Sequence, residues 1–240
     1  MANFTTADGA NIYYEVHGEG FPVLLIAPGG MRSAVSFWEK MPWNGIAELA
    51  GDFQVIAMDQ RNAGHSTGPV AASHGWHTYA GDQLALLDHL GVDRFHVAGM
   101  CIGGPYAFGL IEAVPDRVAS AVLFQSIGRE NNKEAFYEMF DGWAVDLKGK
   151  FPDVSEADWQ SFRGNMYDGD KRFFNVDDDF VRQCQTPLLV LCGKDLYHPE
   201  STSRVIAEIA PNASFIEDWK EGSPREAAGA EVMAFLKANS

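Results

Sequence analysis

The stretch "HVAGMCIGGPYAFGLIEAVPDRVASAVLF", residues 96–124, decides the fold, because it predicts a strand, a sharp turn, a helix and another strand in close succession. Gly99, Cys101 and Gly103 form G-x-C-x-G at the turn, the spacing of a nucleophile elbow with cysteine in the usual place of serine. A side chain at either glycine would crowd so sharp a turn. The turn places the Cys101 thiol beside a helix N-terminus, where the backbone dipoles favour a thiolate. The plainer alternative is a buried structural cysteine in a glycine-rich turn.

Apolar runs of strand length alternate with helical segments on both sides of this stretch. "FPVLLIAPGG" (21–30), "DFQVIAMDQ" (52–60) and "TPLLVLCGKD" (186–195) predict buried strands, and "SPREAAGAEVMAFLKA" (223–238) predicts the last helix. This alternation indicates an α/β fold, a mostly parallel central sheet flanked by helices. Ligands in such sheets bind beyond the carboxyl ends of the strands. The loops of interest therefore follow Ala27, Met58, Met100, Ser126 and Gly193.

Residues 129–183 interrupt the alternation and predict a small helical cap, so that 1–128 and 184–240 form the core of the fold. The segment is polar but carries many aromatic residues, and it is too long for a plain connection. Those aromatics either pack the cap onto the core, which is the default, or line an apolar pocket. They are Phe136, Tyr137, Phe140, Trp143, Trp159, Phe162, Tyr167, Phe173 and Phe174.

Composition narrows the classes of partner. The formal net charge of −15 argues against nucleic acid and anionic membrane surfaces, which require clustered Lys and Arg. The acidic run Asp177–Asp179 predicts a solvated loop rather than a metal site, and we expect no metal and no cofactor. Cys184 and Cys192 are expected to be small buried hydrophobes. The absence of a signal-like start, together with free thiols, predicts a cytoplasmic protein. The expected partner is a small-molecule substrate, and a homodimer is left open.

Three further stretches complete a resemblance to the α/β-hydrolase fold family. "MDQRNAGHS" (58–66) is similar to the family's Asp-x-Arg-Gly-x-Gly-x-Ser loop, and "LLVLCGKDLYHP" (188–199) resembles the strand and loop that carry the catalytic acid. The resemblance implies that Asp195 is that acid. It also implies an oxyanion hole from the backbone N–H of Ile102 and from Gly30 or Met31 in "APGGM". Cysteine at the elbow resembles the dienelactone hydrolases of the same fold.

The chain departs from this family at the catalytic histidine. The family places it after the last strand, but no histidine follows His198, and Trp219 or Lys220 stands near the expected position. His198, three residues beyond Asp195, is one candidate to replace it, although a surface loop histidine is the plainer interpretation. His65 and Lys220 are the other candidates. A thiol lowered in pKa by a helix N-terminus can also attack without a base, but deacylation still needs activated water.

These observations favour a hydrolase of small esters, thioesters or lactones that uses Cys101, with Asp195 and His198 assisting. The missing C-terminal histidine motivates an alternative, a non-catalytic small-molecule binding protein on the same fold. An acyltransferase or lyase that excludes water from the same pocket is a third hypothesis.

Overall fold

Each of the quoted apolar runs forms a strand of one sheet in the computed structural model, which describes residues 2–240. The sheet has eight strands in the order β1-β2-β4-β3-β5-β6-β7-β8. Their bounds are β1 Ala2–Thr5, β2 Asn11–His17, β3 Phe21–Ile26, β4 Phe53–Met58, β5 Phe95–Met100, β6 Val118–Phe124, β7 Leu188–Leu191 and β8 Ala213–Ile216.

The sheet is parallel from β4 through β8, and β1 and β2 add an antiparallel edge. Strands β5, β6 and β7 are buried along their whole length, as expected of parallel strands covered on both faces. The predicted fold class is therefore confirmed. The edge strand β1 was not predicted, because its four residues carry no continuous apolar run.

Helices cover both faces of the sheet. They are α1 Gly45–Leu49, α2 Trp76–His89, α3 Gly103–Ala113, α4 Lys133–Lys148, α5 Glu156–Tyr167, α6 Asp178–Gln183, α7 Glu200–Ile209 and α8 Gly222–Ala238. Alternate residues of a strand enter different cores: Leu24 and Ile26 pack with α2 and α3, whereas Val23 and Leu25 pack with Trp38 and α8. Within residues 2–240, no helix combines the length and the apolar character needed to cross a bilayer.

Helices α4, α5 and α6 lie within residues 129–183, between β6 and β7. Most of their aromatic side chains are buried in mutual contact; Phe140, for example, packs edge-on against Trp143 and Phe162 with ring centroids 5.3 and 5.1 Å away. Packing is thus their main role. The acidic run Asp177–Asp179 is not a loop, as predicted, but the start of α6. Asp177 caps this helix by accepting a hydrogen bond from the Phe180 N–H (2.9 Å). Among the described side chains, no group of His, Cys, Asp and Glu residues is arranged to hold a metal ion.

The "MDQRNAGHS" loop is held by buried ion pairs and supports the neighbouring loops. Asp59 accepts hydrogen bonds from the Val35 and His65 backbone N–H groups, both at 2.7 Å. The Arg61 guanidinium donates to both carboxylate oxygens of Asp82 (2.6 and 2.8 Å), and it also pairs with Asp8 at 2.6 Å. Arg61 and Asp82 are almost fully buried, so these groups are structural.

We expect Arg61→Met to lower the free energy of unfolding by about 3–5 kcal/mol, because it leaves the Asp82 carboxylate buried without its partner. Urea titration followed by circular dichroism measures the loss. The double variant Arg61→Met/Asp82→Leu should recover a large part of it, since both charges are then removed. Equal destabilisation in the single and double variants would contradict this role.

Candidate active site

The elbow forces Cys101 into a strained backbone conformation. Its φ is +62°, in the left-handed region that non-glycine residues rarely adopt, and such residues cost about 1–3 kcal/mol each. A Cβ at Gly99 would lie 2.4 Å from the Gly103 carbonyl oxygen, and a Cβ at Gly103 would lie 3.1 Å from that of Ile26. The two glycines are therefore required by close backbone approach, for the steric reason inferred from the sequence.

Hydrogen bonds from the end of β6 hold the elbow in this conformation. The Cys101 N–H donates to the Phe124 carbonyl (3.0 Å), and the Cys101 carbonyl accepts from Gly104 and Ile127, both at 3.1 Å. Both backbone groups of Cys101 are thus satisfied. Its side chain is left at the carboxyl edge of the sheet, in front of the N-terminus of α3.

The loop after β7 brings Asp195 and His198 together. The His198 Nδ1 lies 2.7 and 2.8 Å from the two carboxylate oxygens of Asp195. Asp195 Oδ1 also accepts the backbone N–H groups of Tyr197 and His198, at 3.0 and 3.1 Å. A Cβ at Gly193 would fall 2.5 Å from the His198 Cβ, so the loop can fold back only over a glycine. The His198 side chain is 12% exposed, which corrects the interpretation of a surface loop residue.

The second ring nitrogen of His198 faces the thiol. Nε2 is buried and makes no ordinary hydrogen bond within residues 2–240, and His198 and Cys101 line the same cavity. The two side chains make no hydrogen bond of regular geometry, which is common between a nucleophile and a base before substrate binds. The arrangement is nevertheless that of a nucleophile, a base and a carboxylate that orients the base.

This coupling shifts the pKa of all three groups. Burial raises the pKa of Cys101, but the adjacent His198 and the backbone at Gly29 and Ile102 outweigh it, and the net pKa is lowered. Burial likewise lowers the pKa of His198, yet Cys101 and Asp195 outweigh burial and raise it. Burial raises the pKa of Asp195, but His198 and the backbone N–H groups of His198 and Tyr197 together outweigh burial, and the net pKa is lowered. The pair therefore favours thiolate and imidazolium.

The cavity in front of the thiol has a volume of about 260 Å³ and an almost wholly apolar wall. It is lined by Gly29, Gly30, Cys101, Ile127, Phe136, Met139, Tyr197 and His198. Gly29, which sequence reasoning passed over, contributes backbone next to the thiol together with Ile102. Gly30 also borders the cavity, whereas the Met31 side chain is buried, with its sulfur 3.6 Å from the Tyr167 hydroxyl.

The other candidates for the missing base lie elsewhere. Trp219 fills the region after β8; it is buried, and its indole N–H donates to the Cys192 carbonyl at 2.8 Å. Lys220 lines a separate recess with Lys194 and Asp218. The His65 side chain is 74% exposed and pairs with Asp59 at 3.2 Å. Neither Lys220 nor His65 borders the cavity at Cys101. Cys184 and Cys192 are buried, as expected.

Asn132 ties the catalytic loop to the start of α4. Its side-chain amide donates to the carbonyls of Gly128 (2.9 Å) and Leu196 (2.8 Å), and its oxygen accepts the Glu130 N–H. The residue is 3% exposed. Sequence reasoning missed it, because an asparagine before a helix ordinarily predicts only a cap.

The rate at which iodoacetamide alkylates Cys101 should rise with pH, with an inflection below the ordinary thiol pKa of about 8.5. Because protonated His198 favours the thiolate, His198→Gln should move the inflection of the rate against pH upward. Peptide mass spectrometry resolves Cys101 from Cys184 and Cys192, whose buried thiols have raised pKa values and serve as internal controls. An unshifted inflection in the variant would contradict the coupling.

Loss of the Asn132 amide should loosen the His198 loop. We expect Asn132→Ala to lower the free energy of unfolding by about 1–3 kcal/mol, and to raise the pH inflection of Cys101 alkylation toward that of His198→Gln. Asn131→Gly is the matched control, since the Asn131 side chain is exposed and its φ is +56°. A loss of stability with no change of inflection would limit Asn132 to a structural role.

Comparison with known proteins agrees with this architecture. The chain is 37% identical over 123 residues to a protein of Azorhizobium caulinodans named for carbamate hydrolysis; the match covers 50% of this chain and 43% of that one. The match thus covers less than half of the length of that relative. A relative of the same name from Caulobacter is 26% identical, over 96% of this chain and 97% of its own.

Solved structures and a family profile extend the agreement to the whole fold. The enol-lactonase of Burkholderia xenovorans superposes with a TM-score of 0.71 at 21% identity, covering 95% of this chain and 97% of its own. An esterase from Rhodococcus gives 0.67 at 24% identity, over 100% and 99%. The profile described as alpha/beta hydrolase fold matches residues 22–184, well over half of the chain. The chain therefore belongs to the alpha/beta hydrolase fold family.

Proposed function

We propose that the protein hydrolyses small ester, thioester or lactone substrates through Cys101, with His198 as the acid and base and Asp195 as its orienting carboxylate. The observation that carries the proposal is the His198 ring, held by Asp195 at 2.7–2.8 Å and adjacent to the Cys101 thiol, with both side chains lining one apolar cavity. Hydrolysis is also the activity for which the carbamate-hydrolase and enol-lactonase relatives are named.

The first half-reaction follows from the charge state of the pair. The Cys101 thiolate attacks the substrate carbonyl carbon, an S–C bond forms, and the carbonyl electrons move onto oxygen. The Ile102 N–H and a second N–H from Gly30 or Met31 are proposed to hold this oxyanion, with Gly29 shaping the same loop. As the tetrahedral intermediate collapses, imidazolium His198 gives its proton to the leaving group, and an acyl-thioester remains.

The second half-reaction needs a base, which His198 supplies. After the first step its Nε2 is neutral, and it can take a proton from water as the water attacks the thioester carbonyl. Collapse expels the Cys101 thiolate and restores the starting pair. Asp195 keeps Nδ1 protonated throughout, so that Nε2 is the nitrogen that exchanges protons. In this proposal the triad is complete, because Asp195 and His198 both come from the loop after β7.

The cavity wall favours uncharged, compact substrates. Apart from Cys101 and His198, its lining carries no ionisable side chain other than Tyr197. An anionic acyl group would lose its hydration there and would meet no cation except His198, which is already paired with the Cys101 thiolate and Asp195, so its burial is costly. We propose that residues 129–183 act as the cap, because Phe136 and Met139 of α4 form part of this wall.

Intact mass spectrometry and turnover of p-nitrophenyl acetate and a short acyl thioester test the proposal. The wild type should form an acyl adduct on Cys101. It should exceed Cys101→Ala in turnover by several orders of magnitude, up to about 10⁶-fold, the size of the loss when a covalent triad loses its nucleophile. Cys184→Ala, at another buried cysteine, is the control expected to keep activity.

His198→Ala separates the two half-reactions. It should acylate slowly and turn over about 10²–10⁴-fold less than the wild type, because water is no longer activated. If the wild type formed no adduct on Cys101 and turned over no faster than Cys101→Ala, hydrolysis would be refuted and a binding protein favoured. If an added alcohol or amine took up most of the acyl group, the protein would instead be an acyltransferase.

A further inference from the structure

One wall of the catalytic cavity comes from a single face of α4. Phe136 and Met139 lie three residues apart, on the same side of the helix, and both border the cavity. Phe136 is 1% exposed and held by aromatic neighbours, with Tyr167 stacked at 5.3 Å and Phe174 edge-on at 4.8 Å between ring centroids. Phe136 is therefore a fixed part of the wall, whereas Met139 is half-buried and packs at the edge of the same core.

The Met139 side chain rests directly on the predicted oxyanion loop. A Cβ built on Gly30 would lie 2.0 Å from the Met139 sulfur, so the thioether occupies the place where a side chain at residue 30 would stand. Gly30 also has φ +57°, which disfavours any other residue there. Substituents on a carbonyl bound in that hole must therefore pass beside the Met139 thioether.

The loop and the helix are joined at a second point. The Arg32 guanidinium donates to the Gly142 carbonyl at 2.7 Å and to the Asp146 carboxylate at 2.6 Å. Arg32 follows Gly30 in the same helical turn, so α4 is registered against the loop one turn beyond Met139. Arg32 thus fixes α4 next to the loop. The Met139 side chain can still adjust within the α4 wall of the cavity, because its three rotatable bonds suit it to filling irregular space.

We propose that Met139 sets the size limit of the substrate group that lies next to the reacting carbonyl. Short, uncharged acyl groups fit beneath the thioether in its present position, whereas long or branched groups require it to move. This inference rests on the proposed attack by Cys101, and it adds a specificity-determining residue to that site.

Alkylation of Cys101 by electrophiles of two sizes tests the proposal. Iodoacetamide is small, whereas N-cyclohexylmaleimide carries a bulky ring on its imide nitrogen, one carbonyl away from the alkene carbons that react with the thiolate. We expect Met139→Ala to raise the rate with the maleimide by about tenfold, the scale at which a pocket discriminates small changes in group size. The rate with iodoacetamide should stay within about twofold, since that reagent already fits. Met139→Phe should lower the maleimide rate.

Glu138→Ala is the matched control, because Glu138 is the exposed neighbour of Met139 on α4. It should leave both rates unchanged. Met139→Leu, which nearly conserves volume, should behave like the wild type, and circular dichroism confirms that each variant is folded. Unchanged rates in Met139→Ala, or equal rises with both reagents, would overturn the size limit.

Alkylation needs only an accessible thiolate, so this result is independent of turnover. If p-nitrophenyl esters are not hydrolysed but Met139→Ala still admits the maleimide selectively, the hydrolase proposal fails and the size limit stands. If esters are hydrolysed, the ratio of kcat/KM for hexanoate to acetate should rise in Met139→Ala. An unchanged ratio, together with unselective alkylation, would refute the role of Met139 alone.

Discussion

The site depends on one constraint, the passage from β5 to α3 through a single residue in the left-handed region. Cys101 takes φ +62° only because Gly99 and Gly103 let the backbone approach closely and because the end of β6 binds its N–H and carbonyl. This geometry points the thiol out of the sheet edge and places it at the start of a helix. The surrounding loops then meet at that sulfur: burial there raises the pKa of the thiol, but His198 and the backbone at Gly29 and Ile102 outweigh burial and lower it.

The histidine that we propose for this site, His198, lies in the loop after β7 and not after the last strand, where the family resemblance implied it. Trp219 fills the region after β8, where it packs against Phe124 with ring centroids 5.5 Å apart and donates to the Cys192 carbonyl. The region where the resemblance implied a histidine is therefore filled by a core side chain. In the proposed site the loop after β7 supplies the histidine, since Gly193 lets the loop fold back and Asn132 holds it against the start of α4. A serine hydroxyl would demand a stronger base than a thiol does, so cysteine at residue 101 suits this arrangement.

The sequence predicted the parts of this structure that depend on local pattern. Glycine spacing predicted the elbow at Cys101, and apolar runs predicted the parallel strands, because both are decided within a few residues. The burial of His198 could not be predicted that way, since it depends on how a loop packs against residues more than sixty positions away, such as Asn132. Similarly, Phe136 and Met139 belong to an aromatic, apolar helix face. Nothing in the spacing distinguishes side chains that face a cavity from those that fill a core.

The contact between Asp195 and His198 spans three residues of one turn, and this has a consequence for precision. In a site whose acid and base come from different loops, errors in the placement of each loop combine at the ring. Here the carboxylate and imidazole move as one unit, because the backbone of the same turn fixes both. Loop motion can change the distance to sulfur, but it carries the tautomer and the orientation of the ring with it. In the proposed mechanism a single distance therefore matters most, that between the preassembled Asp195–His198 pair and the Cys101 sulfur.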